Sequence, residues 1–108
     1  MENVINKGEK FNVAGSVEYA AQSVVSKMVV KQETGNVTLF AFDKGEGLSE
    51  HTAPFDAMVT ILDGEAEIKI GGEPHLLKAG EAIIMPANIS HALKAVDRFK
   101  MMLIMIRK

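Results

Sequence analysis

Residues 57–86 read AMVTILDGEAEIKIGGEPHLLKAGEAIIMP, and their rhythm decides the fold. Glu65, Glu67 and Lys69 alternate with Ala66, Ile68 and Ile70. A period of two puts the charged side chains on one face of a strand and the apolar ones on the other, so this strand has one wet face. Gly71-Gly72 supplies the positive φ of a tight hairpin, and Pro74–Leu77 is the short return. Ala79-Gly80 turns again, and Glu81–Met85 is a strand ended by Pro86, which has no N–H for a ladder. Upstream, Ala57–Leu62 is a strand, and Asp63-Gly64 between two apolar runs predicts another hairpin turn.

The same pattern extends both ways. Val24–Lys31 and Val37–Phe42 are strands around the turn Glu33-Thr34-Gly35-Asn36; Asp43–Glu50 reads as a glycine-containing loop; His91–Ala95 and Phe99–Ile106 are two further strands. Val13–Gln22 is either a short helix capped by Ser16 or irregular. Short, closely spaced strands without a long helix imply one all-β domain, a sandwich or barrel, preceded by an N-terminal segment over residues 1–22. The last strand is apolar on both sides, with Phe99, Met101, Leu103 and Met105 on one face and Met102, Ile104 and Ile106 on the other. Such a strand is covered twice, either by a second copy in a homodimer or by the chain's own N-terminal segment.

Composition excludes several functions. A formal net charge of −2 on 108 residues gives no basic surface for nucleic acid or an anionic membrane. The absence of cysteine removes disulfides and thiolate-ligated metals. No apolar run approaches the roughly 18 residues of a membrane helix, and the polar first ten residues lack a signal core, so a cytoplasmic location is expected.

Two spaced motifs carry a resemblance. Gly45, His51, Ala53, Ala57 and Gly64 fall where the cupin family's first motif has Gly, His, His, Glu and Gly; Gly80, Pro86, Asn88, His91 and Ala95 fall where its second has Gly, Pro, Gly, His and Asn. Residues 36–106 thus resemble a small cupin, which implies a jelly-roll (double-stranded β-helix) barrel, usually dimeric, with a pocket at one end. Metal-binding cupins hold their ion with the two His and the Glu of the first motif and the His of the second. Here alanine, with no donor atom, stands at two of the four positions, and only His51 and His91 remain as candidate ligands for a divalent ion. Asp56 is excluded from the inner face by strand parity if Ala57 points inward, and Glu50 or His75 would need their loops to fold back. No cofactor is therefore expected, with a divalent metal ion as the open alternative.

The same parity predicts a pocket lined by His51, Ala53, Ala57, Val59, Met85, Asn88, His91 and Leu93, with Met58 or Met102 and Phe40 or Phe42 around them. A largely apolar cavity with a few convergent polar groups is the usual form of a small-molecule site. Three functions follow: a metal-free barrel binding a small molecule; a metal-dependent enzyme of the dioxygenase or isomerase type that the resemblance suggests; or a metal-free isomerase or epimerase using a His base with Asp56 or Tyr19 as partner. His75, Glu65, Glu67 and Glu73 read as solvated surface, and Met101, Met102 and Met105 as core and interface.

Overall fold

The computed structural model describes residues 5–107. Seven strands follow in order: β1 (Val24–Gln32), β2 (Gly35–Phe42), β3 (Gly47–His51), β4 (Asp56–Ile70), β5 (Glu73–Lys78), β6 (Ala82–Met85) and β7 (His91–Ile106). They pair in the order β1-β2-β7-β4-β5, with β3 added to β7 and β6 to β4, and every ladder is antiparallel. This is the expected all-β jelly roll.

Its architecture turns on β4 and β7, which run beside each other over nearly their whole length but change neighbours halfway. Residues 57–60 of β4 pair with β6 and residues 65–70 with β5. The first part of β7 pairs with β3 and the second with β2. Between the halves the ladder is broken: Gly64 faces Phe99 and Ala66 faces Ala95, leaving Val96, Asp97 and Arg98 opposite Glu65 alone. Extra residues on one strand bend it and increase its twist, so each long strand crosses from one layer of the barrel to the other here.

Asp63-Gly64 is therefore a bulge and not the expected hairpin turn. The runs 57–62 and 65–70 are one strand, and so are 91–95 and 99–106. Gly64 has φ +79°, and a Cβ on it would collide with the Arg98 carbonyl of the adjacent strand. Both a tight turn and a bulge use that positive φ, which is why the dipeptide alone does not separate them.

Two smaller corrections follow. The expected loop over 43–50 contains β3, held by Gly47 and Leu48 against Lys94 and Leu93 of β7. In the undecided N-terminal stretch a single 3-10 turn spans Ala14–Ser16. Asn12 starts it, its Oδ1 accepting from the Gly15 N–H at 2.7 Å, while the Ser16 hydroxyl donates back to the Asn12 carbonyl at 2.6 Å. Ser16 thus ends the turn and does not cap its start.

The barrel is filled by the inward residues of both layers, among them Phe42, Val59, Ile61, Ile68, Phe99 and Met101. Phe42 and Phe99, partners across β2 and β7, stack with centroids 4.5 Å apart and planes 8° apart. A second buried cluster lies outside the barrel wall, where Val17 covers Leu39 and Ala41 and is joined by Val13, Tyr19 and Met102. The N-terminal segment thus covers the outer face of β7 at Met102. It is tied down by the Tyr19 hydroxyl, which donates to Asp63 Oδ2 at 2.6 Å, and by Lys100 Nζ, which donates to the Ala14 carbonyl at 2.6 Å. Burial, and then the Asp63 carboxylate, push the Tyr19 phenol up and keep it protonated. Beyond this cover Ile84 and Ile106 remain 61% and 67% exposed.

Candidate functional site

A cavity of about 210 Å³ lies inside the barrel, walled by β3, β4, β6 and β7. His91 opens β7 and is only 5% exposed; His51 ends β3 directly opposite it, at the solvent-exposed rim. Pairing of β3 with β7, absent from the sequence reading, is what brings the two imidazoles together. Their Nε2 atoms lie 3.1 Å apart, with ring planes at 72°. His51 Nδ1 is 2.7 Å from the Ser49 carbonyl, and His91 Nδ1 is 3.3 Å from that of Ile89.

Of the sequence-predicted residues, His51, Ala53, Ala57, Met85, His91 and Leu93 line the cavity. Val59 does not: it faces inward but deeper, within the packed core. Asn88 does not either; it sits in the loop after Pro86 with φ +65°, its N–H donating to the Ala53 carbonyl at 2.7 Å, so its backbone braces the wall and its side chain is exposed. Met58 and Met102 lie on the opposite parity from the lining residues of their strands, and Phe40 and Phe42 are in and against the core. Unforeseen members are Leu48, Phe55, Met101, Leu103 and Met105. The last three share the face of β7 whose alternation was legible but read as core and interface.

The nitrogen and oxygen donors present do not fit a catalytic zinc-type site. The two imidazoles are the only side-chain nitrogen or oxygen donors on the cavity wall, beside the soft thioethers of Met85, Met101 and Met105, and among the described residues no group of three His, Cys, Asp or Glu converges. Catalytic zinc sites keep three protein ligands. Asp56 Oδ1 accepts from the Ala87 N–H at 2.9 Å, Glu50 is exposed, and His75 sits on β5 opposite Ile68, so none completes the set.

Burial, and then the neighbouring His51 ring, hold the His91 imidazole below its ordinary 6.5, and the Ile89 carbonyl offsets only part of this. A base with a depressed folded-state pKa binds fewer protons folded than unfolded. Its contribution to stability is intact above pH 6.5 and falls as the unfolded chain protonates first below that. Melting curves from pH 7.5 to 5 are expected to show this acid-side loss in the wild type and a flatter profile in His91→Gln. Parallel profiles would exclude His91 as its source. Asp43, lowered by the N–H groups of Gln22 and Lys44, acts in a separate window below its ordinary 3.8.

An antiparallel jelly roll whose long strands cross both layers around an internal cavity is a double-stranded β-helix barrel. The cupin domain model matches residues 38–107, and the chain belongs to the cupin family. It is similar to a conserved protein of unknown function from Streptococcus pyogenes, with 37% identity, TM-score 0.92, and 98% of this chain and 93% of that one covered. It is also similar to a cupin 2 conserved barrel domain protein from Leptotrichia buccalis, 44% identical with TM-score 0.87 over 90% of this chain and 47% of that one. A cupin superfamily protein from Desulfitobacterium hafniense is 26% identical with TM-score 0.90, over 100% and 99% of the two chains. A curated relative from Streptomyces cyaneus, named polyketide synthase CurC, is 25% identical over 76 residues, 69% of this chain and 49% of its own length. The chain spans about half of that relative.

Proposed function

We propose that this barrel binds a small, uncharged, largely apolar molecule in its internal cavity and does so without a resident metal ion. The observation that carries this reading is the wall itself: of its eleven residues, all but His51 and His91 have hydrocarbon or thioether side chains. Such a wall rewards apolar area and offers no cation to an acid. The methionines Met85, Met101 and Met105 make it adaptable. The enzyme readings find less support. Tyr19 bonds Asp63 on the outer face and Asp56 bonds Ala87, so neither partners the histidines as an acid. A relative named for polyketide synthesis is compatible with a carbon-rich ligand.

Ala57→Phe would fill the cavity, since residue 57 is buried between Met85 and Met105 of the neighbouring strands. Amide NMR titration with small aromatic fragments is expected to shift Leu48, Leu93 and Leu103 in the wild type and not in Ala57→Phe. Shifts in neither protein at millimolar fragment, or equal shifts in both, would sink the reading.

The assembly we propose is a cytoplasmic homodimer. The exposed Val30, Ile84 and Ile106 lie beyond the cover of the N-terminal segment, and a second copy would shield them. Light scattering is expected to give twice the chain mass; a monomer at all concentrations rules the dimer out.

A further inference from the structure

The histidine pair sets up a shortage of protons. A carbonyl oxygen only accepts, so His51 Nδ1, 2.7 Å from the Ser49 oxygen, carries a hydrogen. Neutral His51 then presents a bare lone pair at Nε2. With His51 in that form, a hydrogen shared between the two Nε2 atoms, 3.1 Å apart, can come only from His91 Nε2. Neutral His91 has no second hydrogen for Nδ1, and its contact with the Ile89 carbonyl is 3.3 Å, beyond the usual N–H···O range of about 2.7–3.2 Å. The low proton affinity of buried His91 agrees with a neutral ring. The order of donation is therefore His91 to His51 to Ser49, and at the cavity mouth one N–H donor faces one nitrogen acceptor.

Resting on the cavity reading above, we infer that the site is built for a one-ring-sized apolar molecule bearing a hydroxyl, a phenol or an enol. A hydroxyl both donates and accepts. Placed between the rings, it accepts from His91 Nε2–H and donates to His51 Nε2, so the chain of donation runs through the ligand with no change in either histidine's protonation. The two rings part to admit it, and His51, exposed at the end of β3, has solvent beside it into which to turn. A carbonyl or ether oxygen accepts from His91 but leaves the His51 lone pair facing its own. A carboxylate adds a charge that no Lys or Arg on the wall answers. Size follows from volume. A dry cavity of about 150 Å³ takes benzene; one of about 210 Å³ holds a ring with about two further heavy atoms. Ala53 and Ala57 leave the space beside the imidazoles in which that ring would lie.

Calorimetric titration with four probes separates the inference from the reading it rests on: 4-methylphenol, its methyl ether 4-methylanisole, toluene and 4-methylbenzoate. The phenol is expected to bind about tenfold tighter than the ether, a difference of about 1.4 kcal/mol, with toluene below it and the benzoate weakest. Equal binding of phenol, ether and toluene would overturn the hydroxyl inference and leave the apolar cavity standing. Failure of all four would overturn both. In His51→Leu the preference for phenol over ether is expected to vanish, and its persistence would overturn the inference. Ring nitrogen NMR provides a check that needs no variant. Protonated-type signals are expected at His51 Nδ1 and His91 Nε2, free and phenol-bound alike; one at His51 Nε2 would overturn the inference.

Discussion

Phe99→Ala is expected to lower the unfolding free energy by about 3–5 kcal/mol, the cost of truncating a buried aromatic ring to a methyl group. Phe99 is fully buried and stacked on Phe42 at 4.5 Å. It also faces Gly64 across the β4–β7 ladder, at the bulge where both long strands change layer. Truncation loses the transfer free energy of the ring and leaves a void whose walls cannot close easily. Gly64 has no side chain to fill it, and its close approach to the Arg98 carbonyl fixes the backbone. Phe99→Leu keeps much of the volume and is expected to cost about half as much or less. Against the 5–15 kcal/mol typical of a domain, the alanine change removes about a fifth of the stability or more. Urea denaturation should show a lower midpoint with an unchanged m-value. A loss below about 1 kcal/mol would mean that the corner collapses around the missing ring and that the Phe42–Phe99 stack does not hold the layers together.

That corner also marks where sequence reading stops. Alternation identified Ala66 and Ile68 as inward residues of a strand, and both are fully buried, because period-two patterning is local. Whether Asp63-Gly64 turns the chain or only bends it depends on a partner, Phe99, that lies 35 positions away and leaves no mark on the dipeptide. Parity likewise gives a face but not a depth. Ala57 and Val59 share a face of β4, yet only Ala57 reaches the cavity, while Val59 lies in packed core. Parity gives nothing in a loop, and there Asn88 turned away from the site and contributes its backbone instead. His51 and His91 were legible as a pair from motif spacing. Their proton arrangement was not, because it depends on the carbonyls of Ser49 and Ile89 and on the β3–β7 register.

Ala53→His combined with Ala57→Glu is expected to turn the empty wall into a metal site. Both alanines line the cavity with His51 and His91, at the positions where the resembling motif carries donors. The Nε2 separation of 3.1 Å is already close to the span of two adjacent nitrogen ligands each about 2.0–2.1 Å from one ion. Two donors would then become four, and divalent nickel, zinc or manganese is expected to bind about a thousandfold tighter than to the wild type. The sign of the stability change should depend on the ion. In chelator, the new carboxylate at a position now 4% exposed lacks a cation, so the double variant should melt below the wild type. With metal at 1,000 times its Kd, binding to the folded state alone adds about 4 kcal/mol and should more than reverse the loss. Ala57→Glu alone reaches the three donors of a catalytic zinc site and should show the same loss with a partial rescue, smaller than that of the double variant, since one of its imidazoles sits at an exposed rim. Thermal melts with and without chelator, paired with metal titration, distinguish these cases. A double variant that binds no tighter than the wild type would mean that residues 53 and 57 do not converge on the imidazole pair. The two alanines would then no longer explain why this barrel lacks a fitting donor set.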